Sequence, residues 1–279
     1  MEMEDCHEYP KGGINRYVSQ YIRGLPELTD KTVLDIPCGD GRASYEFIKK
    51  GARVIALDLF PSFMKLEGSK AEYADLSETL PIDSGTVDYV ICQEGIEHIP
   101  NQMRVLEEFN RVLKKGGRLL ITTPNYSHVR ARLSHFFVES DYYKRMPPTE
   151  IDSVWFADNT SDKLYFGHLF LLNVQHFQTI LSTTGFHVVD RIKTDVGRSS
   201  LVLGLVLYPL FVFVTLGSWF FSRRKNTHAL RRARDRVLWE RVKLNISPRT
   251  LFCKHIFWVL QKDLELSEMI IKLKNLSKE

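Results

Sequence analysis

The chain has 279 residues, of which 44% are hydrophobic and 26% are charged, and this composition favours a folded globular protein over a disordered one. Its four cysteines lie far apart and form no CxxC pair, which argues against a disulfide framework or a zinc knuckle and fits a reducing compartment. The first ten residues are acidic and lack an apolar stretch, so we expect no cleavable secretory signal there.

The net charge of +4 conceals a difference between the two ends of the chain. Residues 1–221 carry 23 Lys and Arg against 28 Asp and Glu, a balance of −5, whereas residues 222–279 carry 15 against 6, a balance of +9. A basic segment of this kind seeks phosphate, either on nucleic acid or on an anionic membrane surface. The neighbouring apolar segment described below favours the membrane surface, and we expect no nucleic acid as a partner.

Apolar residues at helical spacing between Ile14 and Ile22 predict an amphipathic helix that covers the sheet, in an N-terminal region (1–29) that can also act as a lid. The stretch Thr32 to Ser44 (TVLDIPCGDGRAS) then predicts a strand, a glycine turn and the start of a helix. Glycines let a ligand approach the backbone closely, and the free N–H groups at a helix start provide donors. The sequence therefore predicts a ligand-binding turn.

The second strand, Arg53 to Leu57, ends at Asp58, 17 positions after Gly41. An acidic side chain at the tip of this strand is placed to accept hydrogen bonds from two ribose hydroxyls. A dinucleotide site would prefer a third glycine where the chain has Ser44, and no GxxxxGK[ST] motif is present, which excludes a P-loop by pattern.

Further strands are predicted at 71–76, 87–92, 118–123 and 186–192, with helices at about 101–113 and 173–184 between them. Alternating strands and helices indicate an α/β fold with a doubly wound, mostly parallel sheet. Residues 125–172 interrupt the alternation and are rich in aromatic residues and histidine. We interpret them as an inserted cap over the ligand crevice at the carboxyl ends of the strands.

Five segments in order resemble the class I S-adenosylmethionine-dependent methyltransferases over about residues 30–192. These segments are VLDIPCGDGR, the ALD that ends at Asp58, the AD at 74–75, LPIDSGTVDYVICQEGIEHI and LKKGGRLLITTPN. The resemblance implies a Rossmann-like methyltransferase domain over 30–124 and 173–198 and S-adenosyl-L-methionine as the cofactor. Pro37 stands where the family's first-strand signature has its first glycine, and this irregularity has no explanation in the sequence.

The resemblance also implies roles for individual residues. Asp35 would hold the turn and the methionine amino end of the cofactor, Asp58 would bind the ribose, and Gln93 would border the sulfonium portion. Asp75 and Leu76 would meet the adenine. The full predicted cofactor-binding set is Asp35, Pro37, Gly39, Gly41, Asp58, Leu59, Asp75, Leu76 and Gln93.

Methyl transfer from a sulfonium is an in-line displacement, and a general base is needed only if the acceptor must lose a proton. His168 and His98 are the candidate bases, although a packed, purely structural histidine is the alternative for each. No HExxH motif or Cys/His cluster is present, so the sequence predicts no metal site.

Residues 201–221 (LVLGLVLYPLFVFVTLGSWFF) carry no charge and are about long enough to cross a hydrocarbon core as a helix. Basic residues normally stay on the cytoplasmic side, and the cofactor is cytoplasmic, so both ends of this segment are expected on the same side. We predict a membrane segment at 199–222, re-entrant through a kink at Pro209, in preference to a single-pass helix, an oligomer interface or a core helix. A basic helical tail (223–279) follows, in which Leu251 to Leu260 is predicted as an interfacial helix.

Together these features predict a membrane-associated methyltransferase with its catalytic domain in the cytoplasm. The predicted acceptor is a lipid-linked glycan, a quinone precursor or another amphipathic lipid, O-methylated at the membrane. The alternative is an inactive methyltransferase-like binding or scaffold protein that uses its basic tail to recruit partners. The oligomeric state is left open.

Overall fold

A computed structural model of the chain describes residues 13–140, 147–157, 163–224 and 231–276. The helices are α1 (Ile14–Arg23), α2 (Arg42–Lys49), α3 (Gln102–Val112), α4 (Val129–Val138), α5 (Glu150–Ser153), α6 (Val174–Thr183), α7 (Arg198–Arg224), α8 (Arg231–Ile246), α9 (Pro248–Phe252) and α10 (Leu266–Leu276). The strands are β1 (Thr32–Asp35), β2 (Arg53–Asp58), β3 (Glu72–Tyr73), β4 (Val87–Gln93), β5 (Leu113–Pro124), β6 (Val154–Ala157), β7 (Leu164–Phe166), β8 (Phe186–Arg191) and β9 (His255–Lys262).

Seven strands form one sheet in the order β3-β2-β1-β4-β5-β9-β8. The first five run parallel to one another, and β9 runs antiparallel to both β5 and β8. The predicted α/β fold with a mostly parallel, doubly wound sheet is therefore confirmed. Buried residues form one apolar layer on each side of the sheet, one centred on Phe109 and Phe177 and the other on Phe47 and Phe257.

Strand β9 corrects the prediction for the C-terminal part of the chain. Leu251 to Leu260 is not an interfacial helix: α9 ends at Phe252, and His255–Lys262 forms a strand in the interior of the sheet. Five consecutive residues from Ile256 to Leu260 are buried, because helices cover both faces of the sheet at this position. A strand buried on both faces shows no apolar–polar alternation, so periodicity does not distinguish it from a short apolar helix. The region 223–279 is therefore not a helical tail throughout.

Helices α7, α8 and α9 form an insertion between two adjacent strands of the sheet, β8 and β9. Helix α7 continues through Pro209, so the predicted reversal does not occur there. Instead α8 packs antiparallel to α7: Trp219 contacts Trp239, and Asn245 donates a hydrogen bond to Thr215 at 2.8 Å. The connection between the two helices, residues 225–230, lies outside the described residues.

The insertion begins and ends at the edge of the sheet that holds the carboxyl ends of the parallel strands. Strand β8 runs parallel to β5, because both are antiparallel to β9, and the chain enters α7 shortly after β8 ends. The first residue of β9, His255, pairs with Pro124 at the end of β5. Since both ends of the insertion return to one sheet, the topology contradicts the single-pass alternative, in which the C-terminal tail would lie across a membrane from the domain.

The region predicted as a cap (125–172) contains α4, α5 and a hairpin of β6 and β7, apart from residues 141–146 and 158–162, which lie outside the described residues. In the N-terminal region, residues 1–12 also lie outside the described residues, and α1 packs on the sheet through the buried Val18 and Ile22. A lid motion of α1 stays a prediction.

Candidate active site

A cavity of about 340 Å³ lies at the carboxyl ends of β1, β2 and β4. Eight of the nine predicted cofactor residues line it, namely Asp35, Pro37, Gly39, Asp58, Leu59, Asp75, Leu76 and Gln93. The ninth, Gly41, does not line it. Residues more than 50 positions apart in the sequence therefore meet at one cavity, at the place where open α/β sheets bind ligands.

Gly41 has a steric role behind the cavity wall. Its φ of 87° lies in the left-handed region, and a Cβ added there would come within 2.4 Å of the Met64 sulfur. Pro37, which the sequence left unexplained, packs in a similar way against a second glycine. A Cβ on Gly95 would lie 2.6 Å from Cδ of Pro37, so the absence of a side chain at Gly95 makes room for the proline ring.

Asp58 holds the glycine turn against the second strand. One carboxylate oxygen accepts a hydrogen bond from the backbone N–H of Gly39 and the other from that of Phe60, both at 2.8 Å. Each oxygen has a second lone pair, so the carboxylate can still accept from hydroxyl groups of a ligand. The predicted ribose contact remains chemically compatible with these bonds and stays a prediction.

Asp35 anchors the start of α2. The Ser44 hydroxyl donates to its carboxylate at 2.6 Å, and burial raises the pKa of Asp35 to about 7 despite this bond. Ser44 occupies the position where a dinucleotide site would have its third glycine, and sequence reasoning used it only as evidence against that class. Its role as the partner of Asp35 was missed.

Asp75 joins the cap to the sheet. Its carboxylate accepts from the backbone N–H and the hydroxyl of Ser77, and from Lys163 and Tyr165 at the start of β7. Burial opposes ionisation of Asp75, but the hydrogen bonds from Ser77 and Lys163 outweigh it and hold its pKa below the ordinary value. The cap hairpin is therefore fixed to the strand end that was predicted to meet adenine. In addition, the Gln93 amide donates to the Asn15 side chain on α1.

The two candidate histidines lie side by side, but only His98 lines the cavity. Their ring centroids are 4.9 Å apart, and the His98 ring stacks on Trp155 of the cap at 5.6 Å. Nδ1 of His98 lies 2.9 Å from the Phe166 carbonyl oxygen. Because a carbonyl only accepts, Nδ1 must carry the hydrogen, which leaves Nε2 of neutral His98 as an acceptor. His168 is exposed and packs behind His98.

Two glutamates beside the cavity, the half-buried Glu94 and the buried Glu97, were missed by sequence reasoning. Glu94 lines the cavity, and Glu97 is fully buried and accepts from the Thr123 hydroxyl at 3.1 Å. Burial raises the pKa of both carboxyls above 4.5, and for Glu97 the nearby charge of Glu94 adds to the effect. Both residues belong to the motif QEGIEHI, which follows a buried strand, so the signal was present. The motif alone does not indicate that Thr122 and Thr123 of β5 enclose these side chains.

Glu97, His98 and His168 also satisfy the distance requirement for a shared metal ion. Their possible ligand atoms lie within 4.8 Å of one another. The sequence predicts no metal because the three residues do not form a recognised metal-binding motif. They come together only when the loop after β4 packs against the residues after β7. The prediction of no metal stays a prediction.

Comparison with known proteins agrees with this geometry. Residues 34–121 match the family model described as a methyltransferase domain. The YcgJ protein from Bacillus subtilis has the same fold, with a TM-score of 0.51 and 15% identity over 89% of this chain and 99% of that chain. Residues 34–121 therefore form a methyltransferase domain, on a fold shared with that structure, as the resemblance to the class I S-adenosylmethionine-dependent enzymes implies.

Its curated relatives include proteins named ubiquinone biosynthesis O-methyltransferase. The one from Xanthomonas oryzae pv. oryzae is 29% identical over 153 residues, which cover 52% of this chain and 63% of that protein. The one from Xylella fastidiosa is 28% identical over 148 residues, which cover 50% of this chain and 59% of that protein. The chain thus matches less than two thirds of the length of these relatives.

The buried glutamates predict a specific pH dependence of stability. The folded chain holds protons on Glu94 and Glu97 that the unfolded chain has released above about pH 5, so their contribution to stability falls as the pH rises. Glu97→Gln stays neutral at every pH. We therefore expect its free energy of unfolding, relative to that of the wild type, to be at least about 1 kcal/mol more favourable at about pH 9 than at about pH 6.

Urea denaturation at the two pH values measures this difference. Glu72→Gln is the matched control, because it removes an exposed carboxylate from β3 and should leave the pH dependence of the wild type unchanged. Parallel stability curves for the wild type and Glu97→Gln would show that Glu97 is ionised in the folded chain and would contradict the prediction.

Proposed function

We propose that the chain is an active enzyme that transfers a methyl group from S-adenosylmethionine to an oxygen of an amphipathic, membrane-associated acceptor. The cavity at the carboxyl ends of β1, β2 and β4 is the observation that carries this proposal. Glycine backbone, the carboxylates Asp58 and Asp75, and Gln93 line it together, which supports the cofactor contacts predicted for these residues. We assign the cofactor to this part of the cavity.

The acceptor is assigned to the aromatic side of the same cavity, under the cap. Phe60, Phe63, Trp155 and Phe166 line this side, and Trp155 packs edge-on against Phe60 at 5.9 Å and stacks on His98. Flat apolar walls suit a planar ring. The relatives named ubiquinone biosynthesis O-methyltransferase therefore favour a quinone-type precursor over a lipid-linked glycan, which is the second candidate.

We assign His98 as the general base that accepts the hydroxyl proton of the acceptor. The Phe166 carbonyl holds the hydrogen on Nδ1, so Nε2 is available as an acceptor. His98 lines the cavity and Trp155 fixes the plane of its ring, whereas His168 does not line the cavity and serves to position His98. The enzyme's other contribution is alignment of donor and acceptor in a site from which water is excluded.

We also propose that α7 embeds the enzyme in a membrane from the cytoplasmic face. One helix among the described residues, Arg198–Arg223, is long and apolar enough to cross a membrane, by length and composition, and only 11% of its apolar window is buried. Half of the 16 residues of α8 are charged, so α8 is suited to the anionic surface and not to the hydrocarbon. The hairpin of α7 and α8 supports a membrane position at the ligand edge of the sheet.

The alternative is a methyltransferase-like protein that binds the cofactor without transferring its methyl group. The cavity lining and the orientation of His98 support the enzyme, since a scaffold has no need of an acceptor-side base.

Calorimetry with S-adenosylmethionine tests the cofactor site. We expect binding by the wild type and an affinity about 10-fold or more lower for Asp58→Ala, because the ribose would lose charge-assisted hydrogen bonds. Asp83→Ala is the control, since Asp83 is exposed and does not line the cavity. Asp58 also holds Gly39 and Phe60, so circular dichroism must show that the variant is folded. Absence of binding by the wild type, or equal affinity in Asp58→Ala, contradicts the proposal.

Cell fractionation tests the membrane placement. Leu205 and Phe213 are each 77% exposed and lie on one face of α7, so Leu205→Asp/Phe213→Asp should move the protein from the membrane to the soluble fraction. The matched control is Met103→Asp/Ile151→Asp, which changes two exposed apolar residues outside the insertion. A wild type that is recovered wholly in the soluble fraction rejects this placement. Deletion of 201–279 is unsuitable because it also removes β9.

A further inference from the structure

Helices α4 and α7 form an apolar groove on the surface next to the sheet. Leu133 and Phe137 of α4 face Val202 and Leu203 of α7 across it. Phe137 is 74% exposed and Val202 is 65% exposed. Exposed apolar residues continue from this groove along α7, through Leu205, Val206, Leu210, Phe213 and Val214. An apolar surface of this extent marks contact with another apolar phase.

The groove opens into a basic hollow at the start of α7. The two share Arg130, Arg198 and Ser199, and the hollow is also lined by Arg16 of α1 and Lys254, which directly precedes β9. Arg130 donates a long hydrogen bond of 3.5 Å to Ser199. Four cationic side chains from four separate parts of the chain therefore meet around one hollow.

Among the described residues that line the hollow, the one carboxylate leaves its charge strongly positive. Asp195 accepts a hydrogen bond from the Tyr17 hydroxyl at 2.7 Å, and it offsets one of the four cations. His128 also lines the hollow, and burial, with a smaller effect from the charge of Arg130, lowers its pKa to about 4. Its imidazole is therefore neutral, and the described lining carries a balance of three positive charges.

The hollow lies at the ligand edge of the sheet. Asp195 follows the end of β8, Lys254 precedes the start of β9, and Arg16 is next to Asn15, which lines the cofactor cavity. A molecule held in the hollow therefore lies close to the cofactor cavity and at the start of the apolar helix α7.

We propose that the hollow and the groove together bind one anionic phospholipid, with its phosphate among Arg16, Arg130, Arg198 and Lys254 and an acyl chain between α4 and α7. The ligand chemistry is a phosphate diester next to a hydrocarbon chain, which matches the junction of a basic hollow with an apolar groove. A soluble phosphate would satisfy only the hollow. This inference rests on the proposed membrane placement and adds to it a defined headgroup site.

Vesicle co-sedimentation of the full-length chain tests the headgroup part. Vesicles of phosphatidylcholine alone are compared with vesicles of phosphatidylcholine and phosphatidylglycerol in equal parts. We expect tighter binding to the second, and we expect Arg198→Gln/Lys254→Gln to lower that affinity roughly tenfold or more, since each cation near an anionic surface contributes several-fold in affinity. Binding of the variant to phosphatidylcholine vesicles should be nearly unchanged.

The matched control is Arg53→Gln/Lys70→Gln. It removes the same charge from two exposed residues, Arg53 at the start of β2 and Lys70 just before β3. These strands lie at the other end of the strand order from β8 and β9, and neither residue lines the hollow, so the control should keep the affinity of the wild type. Equal loss in both double variants would indicate general electrostatic attraction and overturn the proposed site. Equal binding of the wild type to both kinds of vesicle would also overturn it.

Two further measurements separate the remaining explanations. Phe137→Ser should weaken binding to both kinds of vesicle, because it removes apolar contact and no charge. If inorganic phosphate in solution competes fully for the hollow while Phe137→Ser changes nothing, the site takes a soluble phosphate and the lipid assignment is wrong. Calorimetry with S-adenosylmethionine on the same variants distinguishes the proposed enzyme function from the proposed phospholipid site. If the chain binds the cofactor but does not prefer the anionic vesicles, the phospholipid site is rejected and the enzyme function is not.

Discussion

The pairing of β9 with β5 and β8 is the constraint on which the rest of the structure depends. Seven residue pairs join β9 to β5 across more than 130 positions of sequence, and β9 also closes the sheet onto β8. The insertion of α7, α8 and α9 must therefore leave and return at one edge of the sheet. That edge also holds the cavity at the carboxyl ends of β1, β2 and β4, so the proposed membrane placement and the proposed catalytic site both depend on the same strand pairing.

Strand β9 also contributes to the electrostatics of the site. His255 at its start lies 3.6 Å from Glu94, and burial disfavours the charged form of each, lowering the pKa of His255 and raising that of Glu94. Asp35, Glu94 and Glu97 form a group of buried carboxyls around the cavity, and all three have raised pKa values. When bound, the sulfonium cofactor brings a positive charge, which favours ionised carboxyls. We therefore expect this group of carboxyls to favour a cationic ligand over a phosphate.

The parts that sequence reasoning predicted are those set by local chemistry. The glycine turn, Asp58 at the end of β2 and the start of α3 at about residue 101, where the Asn101 side chain caps the helix, each depend on a few neighbouring residues. Strand β9 was missed because burial on both faces removes its alternation and its partners are distant in sequence. The environment of Glu97 and the fit of Pro37 against Gly95 depend on residues from other strands or loops. The sequence alone does not show that these residues lie next to one another.

The central claim is that the cavity transfers methyl groups to a lipid acceptor with His98 as the base. Transfer of labelled methyl from S-adenosylmethionine into a total lipid extract, with the product identified by mass spectrometry, tests it most directly. We predict a labelled lipid with the wild type and with His176→Asn, an exposed control on α6, and a rate about 100-fold or more lower with His98→Asn. A wild type that binds the cofactor but labels no lipid, or His98→Asn at the wild-type rate, would contradict the account.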